Sequence, residues 1–175
     1  MNVLYAQGAP VLSSLQQCVS RWQSMQDSTR VYVSNALHDL HMSQTVRTNS
    51  SALGVLSAER GRELSAALEG SSETMLAGLR SAVEAFDKIV ASLRQLLNDC
   101  AAFPVDNIYA VTIRDWVHDC KRMYDVELVH KRLCLATIEE TGADAAKETL
   151  DRWLKEPYVN KVLAATVLAA TASKP

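Results

Sequence analysis

"LAGLRSAVEAFDKIVASLRQLLNDC", Leu76 to Cys100, decides the fold. Leu76, Leu79, Val83, Phe86, Val90, Leu93, Leu97 and Cys100 alternate spacings of three and four without a break. Apolar residues that return every 3.5 positions on average line one side of a helix and form a coiled-coil seam. Such a stripe needs a second helix to cover it, so the chain must hold at least a helical pair.

Upstream, Leu64, Leu68 and Met75 sit in a shifted phase, which predicts a stutter or a break near Gly70. The segment is bounded by "TNSSALG" (Thr48 to Gly54), a turn signal rich in Ser, Asn and Gly. Before it, Val11 to Thr48 carries Leu12, Leu15, Val19, Trp22, Val33 and Leu40 on a three-four repeat that Gln26 and Thr29 interrupt. Two helices joined by that turn predict an elongated antiparallel hairpin over 1–102. A helix of about 30 residues is about 45 Å long.

The prolines, Pro10, Pro104, Pro157 and Pro175, read as punctuation, because proline breaks helices. Between them Ala, Leu, Ser, Arg, Glu and Gln dominate, with no alternating β-branched run, so the chain is expected to be all-α. Pro104 ends the second helix and Asp106 is the expected cap of a third. Its buried face should hold Ile113, Val117, Cys120, Tyr124, Leu128, Leu135 and Ile138. Gly142 would stop it, and Asp144 would cap a short fourth helix carrying Leu150, Trp153 and Leu154. Pro157 ends that one and fits the first turn of a fifth. The region 103–175 is thus expected as a separate C-terminal unit of one long and two short helices.

The chain has 175 residues, 48% hydrophobic and 22% charged, with a formal net charge of −2. This is the composition of a folded domain with a real core, and it lacks the basic field that draws a protein to nucleic acid. "MNVLYAQGAPVL" has no signal-peptide pattern, and "VLAATVLAATA" is too short for a span, so neither secretion nor a membrane is expected. Cys18, Cys100, Cys120 and Cys134 form no closely spaced framework and read as buried free thiols of a reducing compartment.

Catalytic and metal motifs are missing. His38 with His41, and His130 with Cys134, have helical spacing, but zinc needs three or four converging ligands and neither pair has a third nearby. There is no phosphate loop, nucleophile elbow or HExxH. The residues imply no enzyme, no cofactor, no metal and no small-molecule substrate. Lys121–Arg122 and Lys131–Arg132 read as a solvated face, with Glu127 and Lys131 paired across one turn.

Three stretches then stand out together: "RWQSMQDSTRVYVSNALHDL" (Arg21 to Leu40), "RMYDVELVHKRLCLATIEETGAD" (Arg122 to Asp144) and "LDRWLKEPYV" (Leu150 to Val159). In this order they resemble the cyclin-dependent kinase 2-interacting protein family. The resemblance implies a non-catalytic adaptor, nuclear and in part cytoplasmic, that serves as a subunit of an AAA ATPase complex. The associated processes are maturation of the 60S ribosomal subunit, DNA replication and genome maintenance. The implied partners are proteins: AAA ATPase subunits, a cyclin-dependent kinase and replication factors. The residues that would carry partner binding or the motif are Trp22, Tyr124, Glu127, Leu128, Lys131, Arg132, Trp153, Pro157 and Tyr158. The seam leaves a second class open, a coiled-coil tether or kinetochore-type structural subunit. In either case the "WLKEPYV" corner is expected to pack on "MYDVELVHKR", with Trp153 and Tyr158 near Tyr124 and Leu128.

Overall fold

A computed structural model of the chain describes residues 3–49, 58–103, 107–141 and 146–170. Among them are five α-helices and one 3-10 turn, and no strand. The helices are α1 (Val3–Asn49), α2 (Ala58–Asp99), α3 (Ile108–Thr141), α4 (Ala146–Lys155) and α5 (Lys161–Ala169), with the turn at Cys100–Ala102. The all-α expectation holds, including one long and two short helices after residue 103. The expected turn beyond Asn49, the cap at Asp106, the stop at Gly142 and the cap at Asp144 lie outside the described residues.

Helix α1 begins eight residues earlier than expected and carries Pro10 within it. A proline costs a helix one hydrogen bond and some crowding without always ending it. Nearby, buried Gly8 admits a close neighbour: a Cβ there would meet the Tyr109 ring of α3 at 3.0 Å. Helix α2 runs through Gly70 without the expected break, and Met75 is in phase with Leu79 and Phe86. Asn107 caps α3, its side chain accepting from the amides of Tyr109 (3.0 Å) and Ala110 (3.2 Å).

The buried stripes are more regular than an apolar alphabet suggests. On α1 they are Gly8, Leu12, Leu15, Val19, Trp22, Gln26, Thr29 and Val33. On α2 they are Met75, Leu79, Ala82, Phe86, Ile89, Leu93, Leu96 and Cys100, and on α3 Ala110, Ile113, Val117, Cys120, Tyr124, Glu127, Lys131, Cys134 and Ile138. Each alternates three and four throughout, the knobs-into-holes period. On α2 the stripe is one position N-terminal of Leu76, Val83 and Leu97, which are half-buried. A helix that meets two neighbours buries a face wider than a single seam, so adjacent positions share the core. On α3, Leu135 is half-buried and its expected place belongs to Lys131 and Cys134.

The contacts divide the chain into two compact units, whose described parts fall within Met1–Met25, Glu84–His130 and Glu156–Pro175 for the first and Gln26–Val83 and Lys131–Lys155 for the second. This grouping does not follow the expected boundary at 102/103, since α1, α2 and α3 each contribute to both. In the first unit, α1 meets α2 at Trp22 and Phe86 and α3 at Trp22 and Tyr124, while Arg94 of α2 bonds Asp125 of α3. In the second, Tyr32 lies over Gly78 and Asp39 bonds Ser71. Positions rise on α1 as they fall on α2, so the pair is antiparallel there, as expected.

Candidate functional site

The polar residues that interrupt the α1 pattern are core residues of the second unit. Gln26 and Thr29 are 3% and 0% exposed, and Lys131 of α3 is 0% exposed. The Lys131 ammonium donates to Gln26 Oε1 at 2.8 Å and to the Trp153 carbonyl at 3.1 Å. It also lies 4.8 Å from the centre of the Trp153 ring, within reach of its negative face. Gln26 Nε2 approaches the carbonyls of Trp153 and Leu154 at 3.4 and 3.5 Å. The Trp153 indole N–H donates to Thr29 Oγ1 at 3.3 Å, and that hydroxyl donates to the Gln26 carbonyl at 2.8 Å.

Trp153 and Leu154 belong to the last turn of α4, whose carbonyls have no partner within the helix. A buried cation and an amide therefore cap the negative end of α4. Burying an ammonium costs several kcal/mol, roughly, unless it is well partnered, and the carbonyl, amide oxygen and ring face supply partners. The solvated reading of Lys131 is thus corrected: at the centre of the α3 stripe, only a core environment is available to it. Glu127 is likewise 0% exposed.

In the first unit the corner after α4 is fastened residue by residue. The Val159 amide bonds the Glu156 carbonyl at 3.1 Å, which closes a turn with Pro157 at its second position. Proline is favoured there because its φ is already set, and α5 starts later, capped by Asn160 through the amides of Val162 and Leu163. The expected place of Pro157 in the first turn of the fifth helix is corrected accordingly. Glu127 Oε2 accepts from the Tyr158 amide at 3.1 Å, and Glu127 Oε1 lies 3.3 Å from His130 Nδ1. The His130 and Tyr158 rings meet edge to face, 5.5 Å apart.

Glu156 has φ 47°, a left-handed conformation that glycine usually occupies after a helix. Its carboxylate explains the choice of residue, because Oε1 accepts from the Trp22 indole N–H at 2.8 Å. Trp22 stacks on Tyr124 at 4.2 Å and tilts against Phe86 at 4.3 Å. Burial pushes the Tyr124 phenol far up, with Cys120, Glu156 and Cys18 adding to it. The four cysteines are free and buried, and burial raises the Cys18 thiol, Cys100 to about 11 and Cys120 to about 12. Thiols so placed are packing groups.

Of the nine residues singled out in the sequence, Trp22, Tyr124, Glu127, Leu128, Lys131 and Trp153 are at most 2% exposed. Arg132 and Pro157 reach solvent, and Tyr158 is 52% exposed. The third helix and the corner do meet: Trp153 lies under Lys131, and Tyr158 lies on His130 and Glu127. The ring stacked on Tyr124 is that of Trp22. Gln26, Thr29, His130 and Glu156 escaped sequence reasoning as members of these clusters. Polar residues standing on a three-four stripe were the available signal.

Among the described residues no group of His, Cys, Asp and Glu could hold a metal ion, and no helix is long and apolar enough to cross a membrane. Comparison with family models, with curated proteins and with solved structures finds no match to this chain.

Proposed function

We propose that the protein is a non-catalytic adaptor of the kind the cyclin-dependent kinase 2-interacting protein resemblance implies. It would act in the nucleus as a subunit of an AAA ATPase complex, in 60S maturation, DNA replication or genome maintenance. One observation carries this reading: the three stretches on which the resemblance rests hold one another in place. In the first unit Trp22, Tyr124, Glu127, Glu156 and Tyr158 are joined, and in the second Gln26, Thr29, Lys131 and Trp153. Affinity purification of the tagged full chain from cells is expected to recover an AAA ATPase with pre-60S or replication proteins. Recovery of cytoskeletal or vesicle-tethering proteins alone would reject the assignment.

The regular three-four stripes on α1, α2 and α3 favour a second reading, a coiled-coil tether or kinetochore-type structural subunit. Under that reading the full chain would keep its partner set when the corner at Glu156–Val159 is altered. Under the adaptor reading the corner at Glu156–Val159 is also required.

A further inference from the structure

We propose that a groove between α1 and α2 in the first unit docks an acidic amphipathic helix of a partner protein. The groove encloses about 320 Å³. Arg21 and Ser24 form its α1 wall, one turn apart, and Lys88 and Ser92 its α2 wall, also one turn apart. Cys18 and Ile89, 6% and 7% exposed, belong to its apolar floor. No carboxylate lines it, and among the described residues neither Arg21 nor Lys88 has an ion-pair partner. The charge of Arg21 is nevertheless felt at the floor, where it opposes the upward push of burial on the Cys18 thiol.

Two uncompensated cations on opposite walls of an apolar trough match one kind of occupant. A helix seated there would place leucine-like side chains on the floor and a carboxylate on each flank. The flanking pairs act at the rim, where complementary charge selects the partner and its orientation. The alternative anion, nucleic acid, needs a longer cationic track than two side chains on a chain of net charge −2. The inference rests on the adaptor reading only in assigning the groove a protein partner; it does not depend on which ATPase is bound.

The test uses the 15N-labelled full chain and three probes: a 14-residue helical peptide with leucine on one face and glutamate on both flanks, its lysine-for-glutamate counterpart, and a single-stranded oligonucleotide. The glutamate peptide is expected to shift resonances of Cys18–Met25 and Ala85–Ser92 and to weaken as salt rises. Arg21→Glu with Lys88→Glu should reduce its affinity roughly tenfold or more. Both side chains are exposed, so the helical circular dichroism should be unchanged, and Ser92→Glu should weaken binding in the same direction. Equal binding of both peptides, shifts centred elsewhere, or preference for the oligonucleotide would overturn the proposal. Capture of the whole cellular partner set undiminished by the double reversal would sink the groove while leaving the adaptor reading intact. Peptide binding without ATPase capture would do the reverse.

Discussion

Trp22 and Trp153 are both buried, yet the first and second units treat them differently. Trp22 lies among rings, against Tyr124 and Phe86, with one polar atom committed to Glu156. Trp153 lies in a polar node, with an ammonium over its ring and its indole and carbonyl both bonded. The difference lies in what a misalignment would cost. Sliding α1 along α2 by a turn in the first unit exchanges one hydrophobe for another. In the second, the same slip strands a lysine, a glutamine and two helix-end carbonyls without partners. Buried polar groups on a heptad stripe are the best-attested device for fixing register. By this comparison the first unit supplies apolar burial and the second sets alignment.

The largest effect is expected at Trp153. Truncating a buried aromatic to alanine costs about 3–5 kcal/mol, and here it also removes the ring beneath Lys131 and the donor to Thr29. Trp153→Ala should lower the denaturant midpoint strongly and lose bound partners together with stability. A variant that unfolds like the wild type but fails to bind would mean Trp153 is a contact residue and would break the comparison.

Lys131 tests the polar node itself. Lys131→Met keeps the stem but leaves Gln26 Oε1 and the Trp153 carbonyl with one donor fewer, a loss of about 1–3 kcal/mol. Lys131→Glu puts a carboxylate against those same oxygens and should cost about 3–5 kcal/mol, so it is not the silent surface change that a solvated face implies. Adding Gln26→Leu to Lys131→Met removes the stranded Oε1 but also the amide donor to the Trp153 and Leu154 carbonyls. The double mutant should therefore cost more than either single one and less than their sum. A double mutant whose cost equals the sum of the single ones would show that the two groups are not coupled.

The helices were legible because burial follows period, and period survives almost any choice of apolar residue. The seam of α2 was visible to within one position, the α1 stripe from Leu12 to Val33 except at Gln26 and Thr29, and of the core residues expected on α3 all but Leu135 are buried. Legibility failed at Gln26, Thr29, Glu127 and Lys131, which hold stripe positions but count as breaks on a hydrophobic scale. Their partners are remote: Lys131 reaches Gln26 across 105 residues, and Trp153 reaches Thr29 across 124. Periodicity carries no information about contacts of that separation. The corner was legible as a bend through Pro157, but the left-handed Glu156 was not, because glycine is the usual signal for that conformation.

Glu156 brings the first unit under a smaller test. Glu156→Gly should relieve about 1 kcal/mol of left-handed strain and lose a charge-assisted bond to Trp22 worth about 1.5–3 kcal/mol. The net expectation is a modest loss of about 1 kcal/mol, with the Trp22 indole N–H resonance shifted and that of Trp153 unmoved. If Glu156→Gly stabilises the protein, the indole bond contributes less than the strain, and the ring stack alone holds Trp22.

The smallest effect concerns pH and the exposed rims. Asp125 in the first unit bonds Arg94 of α2 at 3.0 Å and Lys121, one turn before it on α3, at 2.7 Å. In the second unit Glu139 bonds Arg80 at 2.7 Å. Burial pushes the Asp125 carboxyl up, but hydrogen bonds and charge from Lys121 and Arg94 outweigh it and hold the group below the usual carboxylate range. A carboxyl with a depressed folded pKa stabilises the fold above its unfolded pKa, near 3.9 in model peptides. That contribution is lost as pH falls through the folded pKa. Asp125→Asn should therefore cost about 0.2–1 kcal/mol at pH 7, as expected for a rim pair, and its cost should shrink toward zero in strong acid. Urea unfolding of both proteins at pH 7 and in strong acid measures the difference directly. A cost that stays constant across that range would assign the effect of the substitution to packing and remove the charge pair from the account of the first unit.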